Sequence, residues 1–157
     1  MVLTILSLLS VLLTLVYVSI VFYLRKGWRN IPCFTANGET PTTKVSILIA
    51  ARNEEHNIGQ TLNDLVAQNY PAALMEVIVV DDHSTDRTSE IILGYADRGV
   101  RLIRLNEKEA LNSYKKKAIS EAIEKASGEL IVTTDADCRM GPEWLRSIVI
   151  YFEQGNY

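Results

Sequence analysis

The stretch EVIVVDDHSTDRTSEII, residues 76–92, passes from an apolar run through an acidic turn into a segment with helical spacing. The apolar run has the length and the β-branched content of a buried strand. Thr88 opens the helical segment, and the residues available as its N-cap are Ser84, Thr85 or Asp86. The order of strand, acidic turn and helix is typical of one unit of an α/β domain.

The same alternation recurs along the chain. Apolar runs predict strands at 44–50, 76–80, 100–105 and 129–134, and apolar residues at helical spacing predict helices at 58–66, 88–96, 118–126 and 144–152. Gly128 lies just beyond the third of these helices, where a C-cap is expected. Near-continuous apolar strands that alternate with helices predict an α/β fold with a mostly parallel sheet and helices on both faces.

Acidic residues come after three of the predicted strands, in the segments ARNEE (51–55), DDHSTD (81–86) and DADC (135–138). The carboxyl ends of parallel strands share one edge of the sheet, and ligands of such sheets bind beyond that edge. Carboxylates gathered at one edge repel one another unless cations or hydrogen-bond donors engage them. The sequence therefore predicts a ligand site at this edge.

Asp135 and Asp137 stand two residues apart. In extended backbone such side chains point the same way and lie roughly 6.5–7 Å apart. Mg²⁺ is usually bound by one or two carboxylates together with substrate phosphates. The sequence has no G-x-x-x-x-G-K-[ST] and no G-x-G-x-x-G segment, so we expect a metal ion rather than a glycine loop to neutralise a bound diphosphate.

The first 24 residues contain no Asp, Glu, Lys or Arg, and directly after them come Arg25, Lys26, Trp28 and Arg29. An uncharged run of this length is long enough to cross a bilayer, and the basic residues at its end favour a cytoplasmic location for the rest of the chain. We therefore expect a single-pass membrane anchor at 1–26, a linker rich in Gly and Pro at 27–43, and a domain from residue 44 onward.

Charge and cysteine content restrict the function classes. The chain has 16 Lys+Arg and 19 Asp+Glu, and this net charge of −3 argues against nucleic acid as a partner. Cys33 and Cys138 are far apart in sequence, which predicts free thiols rather than a disulfide framework or a zinc site.

Taken together, four segments resemble a family 2 glycosyltransferase of the GT-A fold. They are VSILIAARNEEHNI (45–58), VIVVDDHSTDRT (77–88), KKKAISEAIEKASGELIVTTDADC (115–138) and RMGPEWL (139–145). The resemblance implies a Rossmann-like sheet and transfer of a sugar from a nucleotide-diphosphate donor, commonly a UDP-sugar. It also implies a glycan or lipid acceptor, with inversion and metal dependence.

On the nucleotide side, the resemblance implies that Ala51, Arg52 and Glu54 line the donor pocket. Asp81 or Asp82 would accept a hydrogen bond from the edge of the base. The sequence leaves open which of these two aspartates does so.

On the diphosphate side, the resemblance implies that Asp135 approaches the ribose or the sugar and that Asp137 ligates Mn²⁺ or Mg²⁺. Lys115 and Lys116 occupy a basic position that either faces the diphosphate or forms a solvated helix start. Arg139 is a further candidate for a phosphate contact.

In this family the acceptor half and its catalytic base come after the donor half. We therefore expect residues 44–157 to be the nucleotide-sugar-binding part of a longer domain, with the general base downstream of Tyr157. The catalytic residues are then unknown, and the 157 residues alone are expected to be poorly active.

Three other functions remain as alternatives. A membrane-anchored module that binds nucleotides without catalysis fits the same residues. A signalling receiver domain also carries an acidic pair after a strand, but it needs no D-x-D. A phosphatase of the haloacid dehalogenase kind would place its D-x-D after the first strand of the core rather than after the fourth.

Overall fold

The computed structural model describes residues 1–31, 34, 38–105 and 114–155, with the side chains of 114 and 115 left undescribed. It divides into two compact units, residues 1–35 and 36–157. Cys33 and the side chain of Lys115 lie outside the described residues.

The first unit contains helix α1, Val2–Arg29, which has no buried residue. Its most apolar window has a mean hydropathy of 2.6, so the helix is long and apolar enough to span a membrane. Hydroxyl groups within it bond back to the helix, as Thr14 Oγ1 does to the carbonyl of Ser10 at 2.9 Å. The helix continues through Gly27 and ends at Arg29, three residues later than the sequence predicts.

The second unit is built on a parallel sheet, and within the described residues this sheet has four strands in the order β3-β2-β1-β4. The strands are β1 Val45–Ala51, β2 Met75–Asp81, β3 Val100–Arg104 and β4 Leu130–Asp135. The predicted α/β fold is confirmed. A Rossmann sheet has the order 3-2-1-4, whereas receiver domains have the order 2-1-3-4-5. The receiver alternative is therefore wrong.

Helices cover both faces of the sheet. They are α2 Ile58–Val66, α3 Thr88–Leu93, α4 Tyr114–Lys125 and α5 Trp144–Glu153, with 3-10 turns at Ala72–Leu74 and Ala96–Arg98. Helices α2, α3 and α5 pack on the face that carries Ile47 and Val79, and α4 packs on the face that carries Leu48 and Ile78. Because both faces are covered, β1 is apolar from Ile47 to Ala51 and β2 from Val77 to Val80.

Helix α3 is shorter than predicted and ends at Leu93. The residue at its N-cap position is Arg87, which is none of the three predicted candidates. Asp86, the residue before it, accepts the Thr88 N–H on its carboxylate at 3.0 Å.

Gly128 does not serve as the predicted left-handed C-cap; the glycines with positive φ among the described residues are Gly38, Gly99 and Gly155. A Cβ at Gly128 would lie 2.4 Å from the backbone nitrogen of Ser46 in β1. The Gly128 N–H also donates to Ser46 Oγ at 2.8 Å. The residue is glycine because the chain entering β4 lies directly against β1.

The last residues of the predicted linker pack against α5. Glu153 Oε1 accepts hydrogen bonds at 2.8 Å from the backbone N–H groups of Thr42 and Thr43. Burial raises the pKa of the Glu153 carboxyl, but these hydrogen bonds outweigh burial and hold the pKa below its usual value.

Candidate functional site

Strands β2 and β4 flank β1, and both end in an aspartate at the same edge of the sheet. Ala51 in β1 is the register partner of Asp81, and Ala50 is the register partner of Asp135. Two strand spacings of about 4.8 Å separate the aspartates, so their Cα atoms lie about 10 Å apart. The strand order reverses between β1 and β4, which is where open α/β sheets bind their ligands.

Asp81 turns inward and holds its own loop. It is 5% exposed, its Oδ1 accepts the Ser84 N–H at 3.1 Å, and its Oδ2 accepts the hydroxyl of Ser89 in α3. Both carboxylate oxygens are thus engaged by the protein. Asp81 frames the loop that begins after β2.

Asp82 has a different environment, although it is also only 5% exposed. His83 Nδ1 lies 3.0 Å from its Oδ1, and Arg52 Nη1 lies 3.6 Å from its Oδ2. Its backbone N–H donates to the carbonyl of Ala51 at 2.8 Å. The side chains of Arg52 and His83 are both partly exposed, so Asp82 sits between two groups that a ligand can reach.

A left-handed residue comes after each of the two central strands. Asn53 lies two residues after β1 with φ 55°, and His83 lies two residues after β2 with φ 56°. Non-glycine residues rarely adopt positive φ, and such residues concentrate at functional sites. Here they turn both loops sharply at the edge of the sheet.

The two loops are joined to each other by hydrogen bonds. The Asn53 N–H donates to Ser84 Oγ at 3.0 Å, and the Thr85 N–H donates to Asn53 Oδ1 at 2.9 Å. The Glu54 N–H donates to the buried Thr88 Oγ1 at 2.8 Å. The loops after β1 and β2 therefore form one structure.

Asp86 adds further hydrogen bonds at the junction of these two loops. Its carboxylate accepts the hydroxyl of Thr88 at 2.6 Å and the Glu55 N–H at 3.1 Å. Burial raises the pKa of Asp86, but these hydrogen bonds outweigh it and hold the pKa below its usual value. Glu54, by contrast, uses its Oε2 to accept the side-chain amide of Asn57 at 3.0 Å.

The segment after β4 presents two exposed carboxylates on either side of a buried residue. Asp135 and Asp137 are exposed, whereas Ala136 is 4% exposed and belongs to the core. The hydroxyl of Thr61 in α2 lies 2.7 Å from the Ala136 carbonyl and 3.0 Å from the Cys138 carbonyl. Thr61 was not among the residues predicted from the sequence, although a threonine within the apolar stripe of a helix is a signal that could have found it.

The Arg139 side chain, a candidate for a phosphate contact, bonds to two side chains of α2. Its Nε and Nη2 bond to Asp64 at 2.6 and 3.1 Å, and its Nη1 bonds to Gln60 Oε1 at 2.7 Å. The Arg139 guanidinium holds the pKa of the Asp64 carboxyl below its usual value. Arg139 therefore fastens the chain after Cys138 to α2.

Helix α4 carries the predicted lysines. Arg101, near the start of β3, donates to the carbonyl of Lys125, the last residue of α4. The carboxyl end of α4 thus lies at the edge of the sheet where the strands begin. The first turn of α4 therefore points toward the opposite edge, where the strands end and the ligand site is predicted. Lys116 is exposed in that turn, and the side chain of Lys115 lies outside the described residues.

The described residues bring together no group of three His, Cys, Asp or Glu side chains that could hold a metal ion. The exposed carboxylates of Asp135 and Asp137 nevertheless fit a hard cation, which takes one or two carboxylates and completes its coordination with phosphate oxygens and water. The residues present suit a metal ion that arrives with a diphosphate.

Comparison with known proteins agrees with this geometry. The model of the family described as glycosyl transferase family 2 matches residues 46–157. The chain belongs to glycosyl transferase family 2. The four segments that carry the resemblance fall almost wholly within this match.

Two curated glycosyltransferases illustrate the relationship. The chain is 32% identical over 127 residues to the beta-monoglucosyldiacylglycerol synthase of Synechocystis, a match that covers 80% of the chain and 26% of the relative. It is 38% identical over 101 residues to the glycosyltransferase AglE of Haloferax volcanii, covering 64% of the chain and 33% of the relative. The chain thus spans about a quarter to a third of the length of these relatives.

Two solved structures of glycosyltransferases share the fold. Staphylococcus aureus TarS in complex with UDP-GlcNAc matches with a TM-score of 0.64 and 28% identity, over 72% of the chain and 32% of TarS. The mannosyltransferase PcManGT from Pyrobaculum calidifontis, in complex with GDP-Man and Mn²⁺, matches with a TM-score of 0.67 and 27% identity, over 85% of the chain and 39% of that enzyme.

Proposed function

We propose that this family 2 chain binds a nucleotide-diphosphate sugar, specifically a UDP-sugar, for transfer to a glycan or lipid acceptor. The observation that carries the proposal is the register that sets Asp81 and Asp135 on either side of β1 at one edge of the sheet. Complexes of TarS with UDP-GlcNAc and of PcManGT with GDP-Man and Mn²⁺ support it, because both are matched by this chain.

The loops after β1 and β2 form the nucleoside side of the proposed site. Asp82 is the aspartate that accepts an N–H from the base, since Asp81 has both oxygens engaged within its loop. Arg52 contacts Asp82 and lies beside the base. Ala51 and Glu54 line the pocket with their backbone, which is held by the hydrogen bonds from the Asp82 N–H to the Ala51 carbonyl and from the Glu54 N–H to Thr88.

The turn after β4 forms the diphosphate side. Asp135 accepts hydroxyl groups of the ribose or the sugar, and Asp137 is the protein ligand of a Mn²⁺ or Mg²⁺ ion. When bound, such an ion supplies Lewis-acid neutralisation of the leaving diphosphate. Lys116, with Lys115, adds positive charge from the first turn of α4. An inverting displacement also needs a base for the acceptor hydroxyl, and we assign that role to none of these residues.

Helix α1 is proposed to anchor the chain in a membrane as a single span, with the domain on the cytoplasmic side. Its length and hydropathy support a span, and Lys26 and Arg29 in its last turn support the orientation. The relationship to beta-monoglucosyldiacylglycerol synthase, which is named for a glycolipid product, supports an acceptor at the membrane surface.

Calorimetric titration tests the donor assignment. The full chain in detergent micelles is titrated with UDP-glucose, UDP-GlcNAc and GDP-mannose, each with Mn²⁺ and with EDTA. We expect Mn²⁺-dependent binding of a UDP-sugar, with weaker binding of the GDP-sugar. No binding of any nucleotide would contradict the proposal.

A further inference from the structure

We propose that Thr61 is a positioning residue for the donor site. In this proposal, its hydroxyl fixes the turn that presents Asp135 and Asp137, and so sets the affinity for the nucleotide in the presence of a metal ion. The proposal rests on the donor assignment above and extends it to α2, a helix that carries none of the predicted ligand-binding residues.

The contacts of Thr61 show that its hydroxyl serves the turn rather than its own helix. Thr61 is fully buried, and its Oγ1 lies 2.7 Å from the Ala136 carbonyl but 3.5 Å from the Asn57 carbonyl one helical turn earlier. A helical threonine without another partner bonds to the carbonyl four residues before it. Because a hydroxyl has one proton to donate, its contacts with Ala136 and with Cys138 at 3.0 Å are alternatives that both tie the turn to α2.

Holding Ala136 determines where the two carboxylates point. The Ala136 side chain is packed in the core beside α2 and its carbonyl faces Thr61, whereas Asp135 and Asp137 on either side are exposed. A shift of Ala136 away from α2 therefore moves both carboxylates at once. Partners that orient metal ligands in this indirect way typically contribute about 10–100-fold to metal affinity.

Helix α2 also connects the two sides of the site. One turn beyond Thr61, Asp64 accepts two hydrogen bonds from Arg139 and one from the Met140 N–H at 3.1 Å. At its amino end, α2 continues from the loop that is joined to the loop after β2 through Glu54 and Thr88. The helix thus fixes the diphosphate side relative to the nucleoside side.

The test compares three variants of the full chain in detergent micelles. Thr61→Val keeps the side-chain shape but removes the hydroxyl, and Thr61→Ser restores it. Thr43→Val is the matched control, because Thr43 is a buried threonine whose hydroxyl donates to Glu153 at 2.8 Å, remote from the turn. Affinity for UDP is measured with Mn²⁺ and with EDTA, and amide hydrogen exchange is measured at residues 135–139.

We expect Thr61→Val to weaken Mn²⁺-dependent UDP binding about tenfold, to weaken binding in EDTA much less and to speed exchange at 135–139. We expect Thr61→Ser to lie within about twofold of the wild type and Thr43→Val to match it. Unchanged exchange at 135–139 in Thr61→Val would overturn the proposal, and so would an equal loss of affinity with Mn²⁺ and with EDTA. If the wild-type chain binds no UDP but Thr61→Val still speeds exchange at 135–139, the result contradicts the donor assignment. It would still support the attachment of the turn to Thr61.

Discussion

The backbone N–H of Asp82 donates a 2.8 Å hydrogen bond to the carbonyl oxygen of Ala51. This bond joins the end of β1 to the first residue of the loop after β2. This bond continues the parallel ladder by one residue beyond Asp81. The two consecutive aspartates have different surroundings: Asp81 contacts α3 through Ser89, whereas Asp82 contacts Arg52 and His83.

The first prediction separates these two aspartates. Asp81→Asn is expected to lower the free energy of unfolding of the domain by about 1–3 kcal/mol, because it weakens buried hydrogen bonds to a carboxylate. Asp82→Asn is expected to lower UDP affinity about tenfold with little loss of stability. Urea unfolding of a chain lacking residues 1–26 and calorimetry with UDP are the two measurements. A loss of UDP affinity confined to Asp81→Asn would reverse the assignment.

The second prediction concerns the close approach of Gly128 to β1. Gly128→Ala places a Cβ 2.4 Å from the Ser46 nitrogen, which neither backbone can accommodate without shifting. We expect a loss of about 1–3 kcal/mol in the free energy of unfolding. Gly141→Ala is the control, because a Cβ there meets nothing within 4 Å, and it should stay within about 0.5 kcal/mol of the wild type. Equal stability of the two variants would show that the contact between β1 and the start of β4 can relax without cost.

The third prediction concerns membrane attachment. Deletion of residues 1–26 removes most of the apolar helix α1 and is expected to move the domain from the vesicle fraction to the supernatant. Flotation with phospholipid vesicles measures this, with the full chain as the reference. If the deleted chain still floats with the vesicles, a surface of the domain itself binds the membrane and α1 is not the sole anchor.

The sequence was sufficient to predict the strands and the fold, because the apolar runs are strong signals and α/β alternation leaves few arrangements. It predicted the ends of β1, β2 and β4 to within one residue. It did not predict the strand order, because register and order depend on contacts between residues distant in sequence, such as Ala50 with Asp135.

Within the site, sequence placed the acidic residues at one edge but left their orientations open. Which of Asp81 and Asp82 faces inward depends on the position of Ser89 in α3, which strand periodicity does not encode. The role of Arg139 was missed for a similar reason, since its partner Asp64 lies 75 residues earlier in the chain. A free guanidinium and one paired with a distant carboxylate look alike in sequence.

The most direct test of the donor site removes both exposed carboxylates of the turn after β4. We predict that Asp135→Asn/Asp137→Asn loses the Mn²⁺-dependent part of UDP affinity, while Asp97→Asn, which changes an exposed aspartate in the 3-10 turn before β3, binds as the wild type does. Isothermal calorimetry with and without Mn²⁺ measures both. An affinity of the double variant for UDP that equals the wild-type value in Mn²⁺ would contradict the proposal that the turn after β4 holds the donor together with its metal ion.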